Sequence, residues 1–137
     1  MKLDLKDLKK KYSSYKSNAK QKNREFKLSF KQFKNLCSQE CYYCKVSPKD
    51  EVIGVDRYFN HRGYYIGNCV PSCWNCNRSK SNMNPADFDD YIARIKNDEP
   101  EYIKIERKVR NGEIKKHCVS EMLRINLTVT KNHDNIN

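Results

Sequence analysis

The chain has 137 residues, enough for one domain with extensions but not for two full domains. An apolar share of 37% against 33% charged leaves a thin hydrophobic core that needs a staple. The net charge of +11 points to a polyanion, nucleic acid before an anionic membrane surface, and the opening MKLDLKDLKKKYSSYK has no apolar run suited to a secretory signal or a membrane span.

Leu5, Leu8, Tyr12, Tyr15 and Ala19 recur at three- and four-residue steps, which predicts an amphipathic helix with a lysine-rich outer face. REFKLSF then alternates like a short strand, and Ser29 with Gln32 forms a capping box for a helix over FKQFKNLC. In the stretch that follows, EVIGVDRYF and GYYIGNCV read as the strands of a β-hairpin with a turn near Asn60–Gly63. Asn84–Pro85 suits a helix start, with Phe88, Tyr91, Ile92 and Ile95 as the apolar stripe and an end near Asn97. Two patterns compete in YIKIERKVRNGEIKK. Asn111–Gly112 signals a hairpin, while Tyr102, Ile105 and Val109 suit one helix face; the hairpin is the expectation. The last residues, TKNHDNIN, read as a frayed end. Three regions result: a basic helical extension over 1–36, a core with its following helix over 37–97, and a C-terminal extension over 98–137.

The strongest signal lies in the cysteines. Cys41 with Cys44 and Cys73 with Cys76 form two C-x-x-C pairs separated by 28 residues, room for an inserted hairpin. Each pair offers two thiolates from one tight knuckle, and two knuckles complete a closed, structural tetrahedral Zn²⁺ site. In a chain without an export signal this spacing favours metal over disulfides, and hence an intracellular setting. Cys37, Cys69 and Cys118 are left over and read as small buried hydrophobes, with Cys69, near the second knuckle, the one competitor as a ligand.

CYYC, IGVDR, GYYIGNCVPSC and CNRSK together resemble the HNH-type endonuclease family, closest to small phage- and virus-encoded HNH-like proteins. The resemblance covers residues 41–80 and implies an α+β fold: a small zinc-stapled ββα-metal core with an N-terminal helical extension and a helix after it. It implies a metal-dependent hydrolase of DNA phosphodiesters, acting on DNA that is double-stranded, with Mg²⁺ or Mn²⁺ as the catalytic ion. Asp56 takes the place of the metal-binding acid, Asn68 that of the middle asparagine that supports the hairpin, and Asn77 that of the last metal ligand. Lys80 matches a recurrent lysine one turn later.

One position departs from the pattern. The family's general base is a histidine directly after the acid, and here that residue is Arg57. A guanidinium does not give up its proton, but it can clamp a phosphate bidentately. His61 lies ~13 Å further along an extended strand, beyond direct reach. Arg57, Arg62, Arg78 and Lys80 are the candidate DNA contacts, and Tyr42, Tyr43, Tyr58, Tyr64, Tyr65 and Trp74 are core packing with one or two free to stack on a base. The readings are an HNH endonuclease, a catalytically silent zinc-stapled DNA-binding module of the same fold, and an interaction ribbon using Asp87, Asp89 and Asp90.

Overall fold

A computed structural model describes residues 3–115, which leaves Cys118, His117, His133 and the C-terminal tail outside the described residues. The chain divides into two compact units, one running to Ser81 and one starting at Asn82. None of the described helices is long and apolar enough to cross a membrane.

In the first unit, helix α1 (Leu5–Gln21) is capped by the Asp4 carboxylate, which accepts from the Asp7 amide at 2.8 Å. Helix α2 (Phe30–Cys37) starts on the capping box expected of Ser29 and Gln32, with both reciprocal bonds made. Strands β1 (Ile53–Arg57) and β2 (Cys69–Cys73) pair antiparallel, Ile53 opposite Cys73 through Arg57 opposite Cys69. A turn at Phe59–Arg62 and a 3₁₀ turn at Ile66–Asn68 connect them. Helix α3 (Trp74–Lys80) leaves directly from β2.

Leu8, Leu28, Phe33, Leu36, Val55 and Cys69 form the buried core between α1, α2 and the β-ribbon, with Tyr12, Tyr15, Phe26 and Tyr64 packed around it. Helix α1 is therefore part of this core as well as a basic outer face. It also covers the open edge of β1: the Val55 amide donates to the Tyr15 hydroxyl at 3.2 Å and Lys11 Nζ donates to the Ile53 carbonyl at 3.3 Å. An isolated two-stranded ribbon is marginal and exposes unpaired backbone at its edges, and α1 relieves both weaknesses. The approach is close enough that a Cβ on Gly54 would sit 2.6 Å from the Tyr15 hydroxyl oxygen. The strand read into REFKLSF is a single parallel bridge between Phe26 and Tyr64.

In the second unit, helix α4 (Pro85–Lys96) is capped by Asn84, whose side chain accepts from the Ala86 amide at 2.9 Å, and ends on Asn97 in the left-handed region at φ 55°. The hairpin expected after residue 101 is instead helix α5 (Glu101–Arg110), with Gly112 at φ 76° just past its end. The Asn–Gly signal is thus a helix stop, since a positive-φ glycine serves either role and the Tyr102/Ile105 stripe is buried as a helix face. Of the acidic residues expected to form a contact face, Asp89 is buried and Asp90 accepts from the Tyr102 hydroxyl at 3.3 Å, which leaves Asp87 as the exposed member.

Candidate functional site: a zinc-type knuckle beside a buried ion pair

The Sγ atoms of Cys41, Cys44, Cys73 and Cys76 all lie within 4.8 Å of one another, and those of Cys44 and Cys73 are 3.8 Å apart. Four sulfurs at ~2.3 Å around a tetrahedral ion stand about 3.8 Å apart, so the set fits a metal ion such as zinc. The local fold builds the two knuckles. The Lys45 amide returns to the Cys41 carbonyl at 3.0 Å with Lys45 at φ 67°, and the Cys73 sulfur caps α3 by accepting from the Cys76 amide at 3.4 Å. A hydrogen bond from Cys76 lowers the Cys41 thiol to about 4 and the same bond raises Cys76, while burial raises Cys73 to about 11. A metal ion held by the four would take them as thiolates. Among the described residues no other cluster of three or more His, Cys, Asp or Glu side chains is placed to hold a metal.

Asp56 is 6% exposed and points toward α3. Its Oδ2 accepts from the Tyr43 hydroxyl at 2.6 Å and pairs with Lys80 Nζ at 3.1 Å. The Lys80 side chain is 0% exposed, and its ammonium also donates to the Arg57 carbonyl at 3.0 Å and to Asn60 Oδ1 at 3.1 Å. Three acceptors match the three protons of an ammonium. Lys80 is therefore the internal counter-ion of Asp56, a correction to its reading as a phosphate contact. Helix α3 leaves directly from β2, the partner of β1, and its last residue reaches the Arg57 carbonyl at the end of β1. Burial raises the Asp56 carboxyl above its usual range, with the Lys80 charge and the Tyr43 bond pulling the other way.

Asn77 is half-buried on α3, directly after the second knuckle. A carboxylate and an amide oxygen are the hard donors a Mg²⁺ or Mn²⁺ takes. The Lys80 ammonium and the Tyr43 hydroxyl both engage Oδ2 of Asp56, which leaves Oδ1 as the carboxylate oxygen outside those two contacts. Asn68 is 1% exposed and clamps the connecting loop: its Nδ2 donates to the Phe59 and Gly63 carbonyls at 3.1 and 3.0 Å, and its Oδ1 accepts from the Phe59 amide at 3.0 Å.

Arg57 leaves the ribbon on the other side. The register runs unbroken through Asp56–Val70 and Arg57–Cys69, and neighbouring residues on a regular strand face opposite ways. The Arg57 guanidinium lies over the Tyr64 ring at 5.4 Å, and its Nη1 donates to the Asn60 and Arg62 carbonyls. The chain turns back immediately after β1, so His61 comes to line the same cleft as Arg57; the extended-strand distance does not apply. Arg62 sits in that cleft with its guanidinium 5.0 Å over the Phe59 ring. Arg78 lies instead over the ring of Trp74, which is 65% exposed on α3. Tyr42, Tyr43 and Tyr58 are buried, as core packing requires. Sequence reasoning missed Tyr43 as the hydrogen-bond donor to Asp56 and Arg24 as a member of the Arg57 cleft. Only the CYYC motif could have hinted at Tyr43, and nothing local marked Arg24.

No protein-family model matches the chain. It is 41% identical over 78 residues, 57% of its length, to uncharacterized protein R423 of Acanthamoeba polyphaga mimivirus, and it spans 15% of that viral protein. Among solved structures it is similar to the rare-cutting HNH restriction endonuclease PacI, with a TM-score of 0.57 at 20% sequence identity over 64% of this chain and 75% of that one. The α+β architecture with its zinc-type knuckles thus has a structural neighbour in an HNH endonuclease.

Proposed function

We propose that this chain acts on DNA as an HNH-type, nuclease-like protein. The observation that carries the reading is the conjunction of the four-cysteine knuckle with a ββα arrangement similar to PacI. The reaction class is metal-assisted hydrolysis of a phosphodiester, in which a divalent ion supplies Lewis-acid charge neutralisation when bound. Asp56 and Asn77 would hold that ion, and Asn68 keeps the loop after β1 in place beside them. No histidine follows Asp56, and Arg57 projects from the opposite face, so the proton of the attacking water has no side-chain acceptor at that position.

A specific observation favours a second reading, a zinc-stapled module that binds DNA without cutting it. The buried Asp56–Lys80 pair gives the acid an internal counter-ion at Oδ2, a structural role that needs no divalent ion. Plasmid nicking with and without Mn²⁺, using wild type and Asp56→Ala, separates the two. The nuclease nicks only with Mn²⁺ and loses that activity on Asp56→Ala. The binding module shows salt-sensitive DNA affinity and no nicking. Absence of salt-sensitive DNA affinity rejects both. Arg57→His is expected to leave nicking unimproved, because the new imidazole would face away from Asp56; a faster variant would mean that β1 does not run regularly through this pair.

A further inference from the structure

The polar cleft on the Arg57 side of the ribbon touches the Asp56–Lys80 pair only through Lys80's bonds to the Arg57 carbonyl and to Asn60 Oδ1. It measures about 360 Å³ and is walled by Arg24, Arg57, His61 and Arg62. We propose that this cleft holds a backbone phosphate of a bound nucleic acid, a proposal that rests on the DNA reading above and gives it a contact point away from the metal-ligand candidates.

Four parts of the chain's construction converge on it. First, the Arg57 guanidinium is fixed before any ligand arrives: Nη1 is tied to the Asn60 and Arg62 carbonyls and the plane rests over Tyr64, leaving the Nη2–Nε edge outside those two bonds. Second, Arg62 is likewise held over Phe59. Stacked guanidinium planes lose less side-chain entropy when they engage a phosphate than free ones do. Third, the backbone delivers Arg24. Asn23 turns the chain at φ 55°, the Arg24 amide caps α1 by donating to the Ala19 carbonyl at 2.8 Å, and residues 25–27 are stitched to Tyr64 by bonds of 2.8 and 2.7 Å. That stitching needs a glycine at 63, because a Cβ there would meet the Glu25 Cβ and carbonyl oxygen at 2.7 Å.

Fourth, the electrostatics are one-sided. Three arginines and a histidine converge, while the one carboxylate on the cleft wall, Glu25, is paired with Lys27 at 2.6 Å. Like charges gathered around one cavity repel unless an anion joins them, and arginine forks match phosphate oxygens bidentately.

The test uses the full-length, zinc-loaded protein with two probes: a fluorescent 20-base-pair duplex over a salt series, and inorganic phosphate followed through the Gly63 amide resonance. Arg24→Ala and Arg62→Ala are each expected to weaken duplex binding about tenfold and to make the salt dependence shallower by about one unit of log–log slope. Lys31→Ala, an exposed lysine outside the cleft, is expected to stay within about twofold. Gly63→Ala should mimic Arg24→Ala by displacing the stitched segment. Phosphate should shift the Gly63 amide in wild type and not in Arg24→Ala. If Arg24→Ala lowers the melting temperature, Arg24→Gln tests the charge alone. Duplex binding that is equally insensitive to Arg24, Arg62 and Lys31 overturns the cleft while leaving the DNA reading intact. A phosphate response without duplex binding overturns the nucleic-acid assignment and the DNA reading together.

Discussion

Lys80→Met is the substitution that reads most directly on the centre of the first unit. It keeps the side chain's length and removes its charge from a pair in which Lys80 is 0% and Asp56 7% exposed at the side chain. At 3.1 Å and an effective dielectric of about 20 the pair's attraction is ~5 kcal/mol, and the Arg57 carbonyl and Asn60 Oδ1 lose a donor as well. Asp56 keeps the Tyr43 hydrogen bond at 2.6 Å and can escape part of the penalty by taking up a proton. The expected cost at pH 7 is therefore about 3–5 kcal/mol, the range for breaking a buried pair by deleting one partner. The pH dependence has a definite sign. Burial already raises the Asp56 carboxyl, and removing Lys80 raises it further, so the variant's stability is greatest below the unfolded carboxyl range and declines as pH rises through the folded value.

Urea unfolding of the zinc-loaded protein at pH 5 and pH 7, followed through Trp74, the single tryptophan and part of α3, measures both effects. Asp56→Asn and the double variant complete a cycle in which the double variant should be less destabilised than the sum of the singles. A Lys80→Met cost below ~1 kcal/mol at pH 7, or strict additivity, refutes the view that this pair is a closed internal unit.

Three further outcomes are expected. Elemental analysis should find one tightly held Zn²⁺ per chain, and Cys44→Ser should unfold the first unit, because a lost thiolate removes a ligand from a site that fits four; a folded, zinc-free sample refutes this. Gly54→Ala should cost about 1–3 kcal/mol by driving a methyl against the Tyr15 hydroxyl, and Tyr15→Phe in the same chain should recover part of it. Burial raises Tyr15 to about 12, Cys37 to about 11 and Cys69 to about 12, from ordinary values of 10.0 for the phenol and 9.0 for each thiol. Stability should hold below pH 9 and fall as pH climbs toward 11, because the unfolded chain releases these protons first; a flat urea midpoint from pH 8.5 to 11 refutes the assignment.

Local chemistry was readable from the chain because it depends on neighbours within a few residues. The Ser29–Gln32 capping box, the Asn84 cap, the two C-x-x-C knuckles and, apart from the exposed Leu5, the amphipathic stripe of α1 each follow from spacing alone and stand in the structure. The hairpin expected over EVIGVDRYF and GYYIGNCV forms with its second strand shifted: β2 is CVPSC, and of GYYIGNCV only Cys69 and Val70 belong to it, Ile66–Asn68 being a 3₁₀ turn. The stretch after residue 101 was misread for an equally local reason: Asn–Gly serves both a hairpin turn and a helix end, and the burial of Tyr102 and Ile105 decides between them.

What only the tertiary structure decided is which face each functional side chain uses. In sequence Asp56 and Arg57 are adjacent and look like one site. The unbroken strand sends Asp56 to Lys80 and Arg57 to the cleft it shares with Arg24, two arrangements on opposite faces of the ribbon. Lys80, 24 residues beyond Asp56, reads as a surface cation until α3 carries it over the end of β1 and buries it. Arg24 carries no motif; the turn at Asn23 and the bridge between Phe26 and Tyr64 bring it beside Arg57. Spacing reports chemistry available to a segment; pairing of charges across segments depends on burial and strand register, which exist only once the chain has packed.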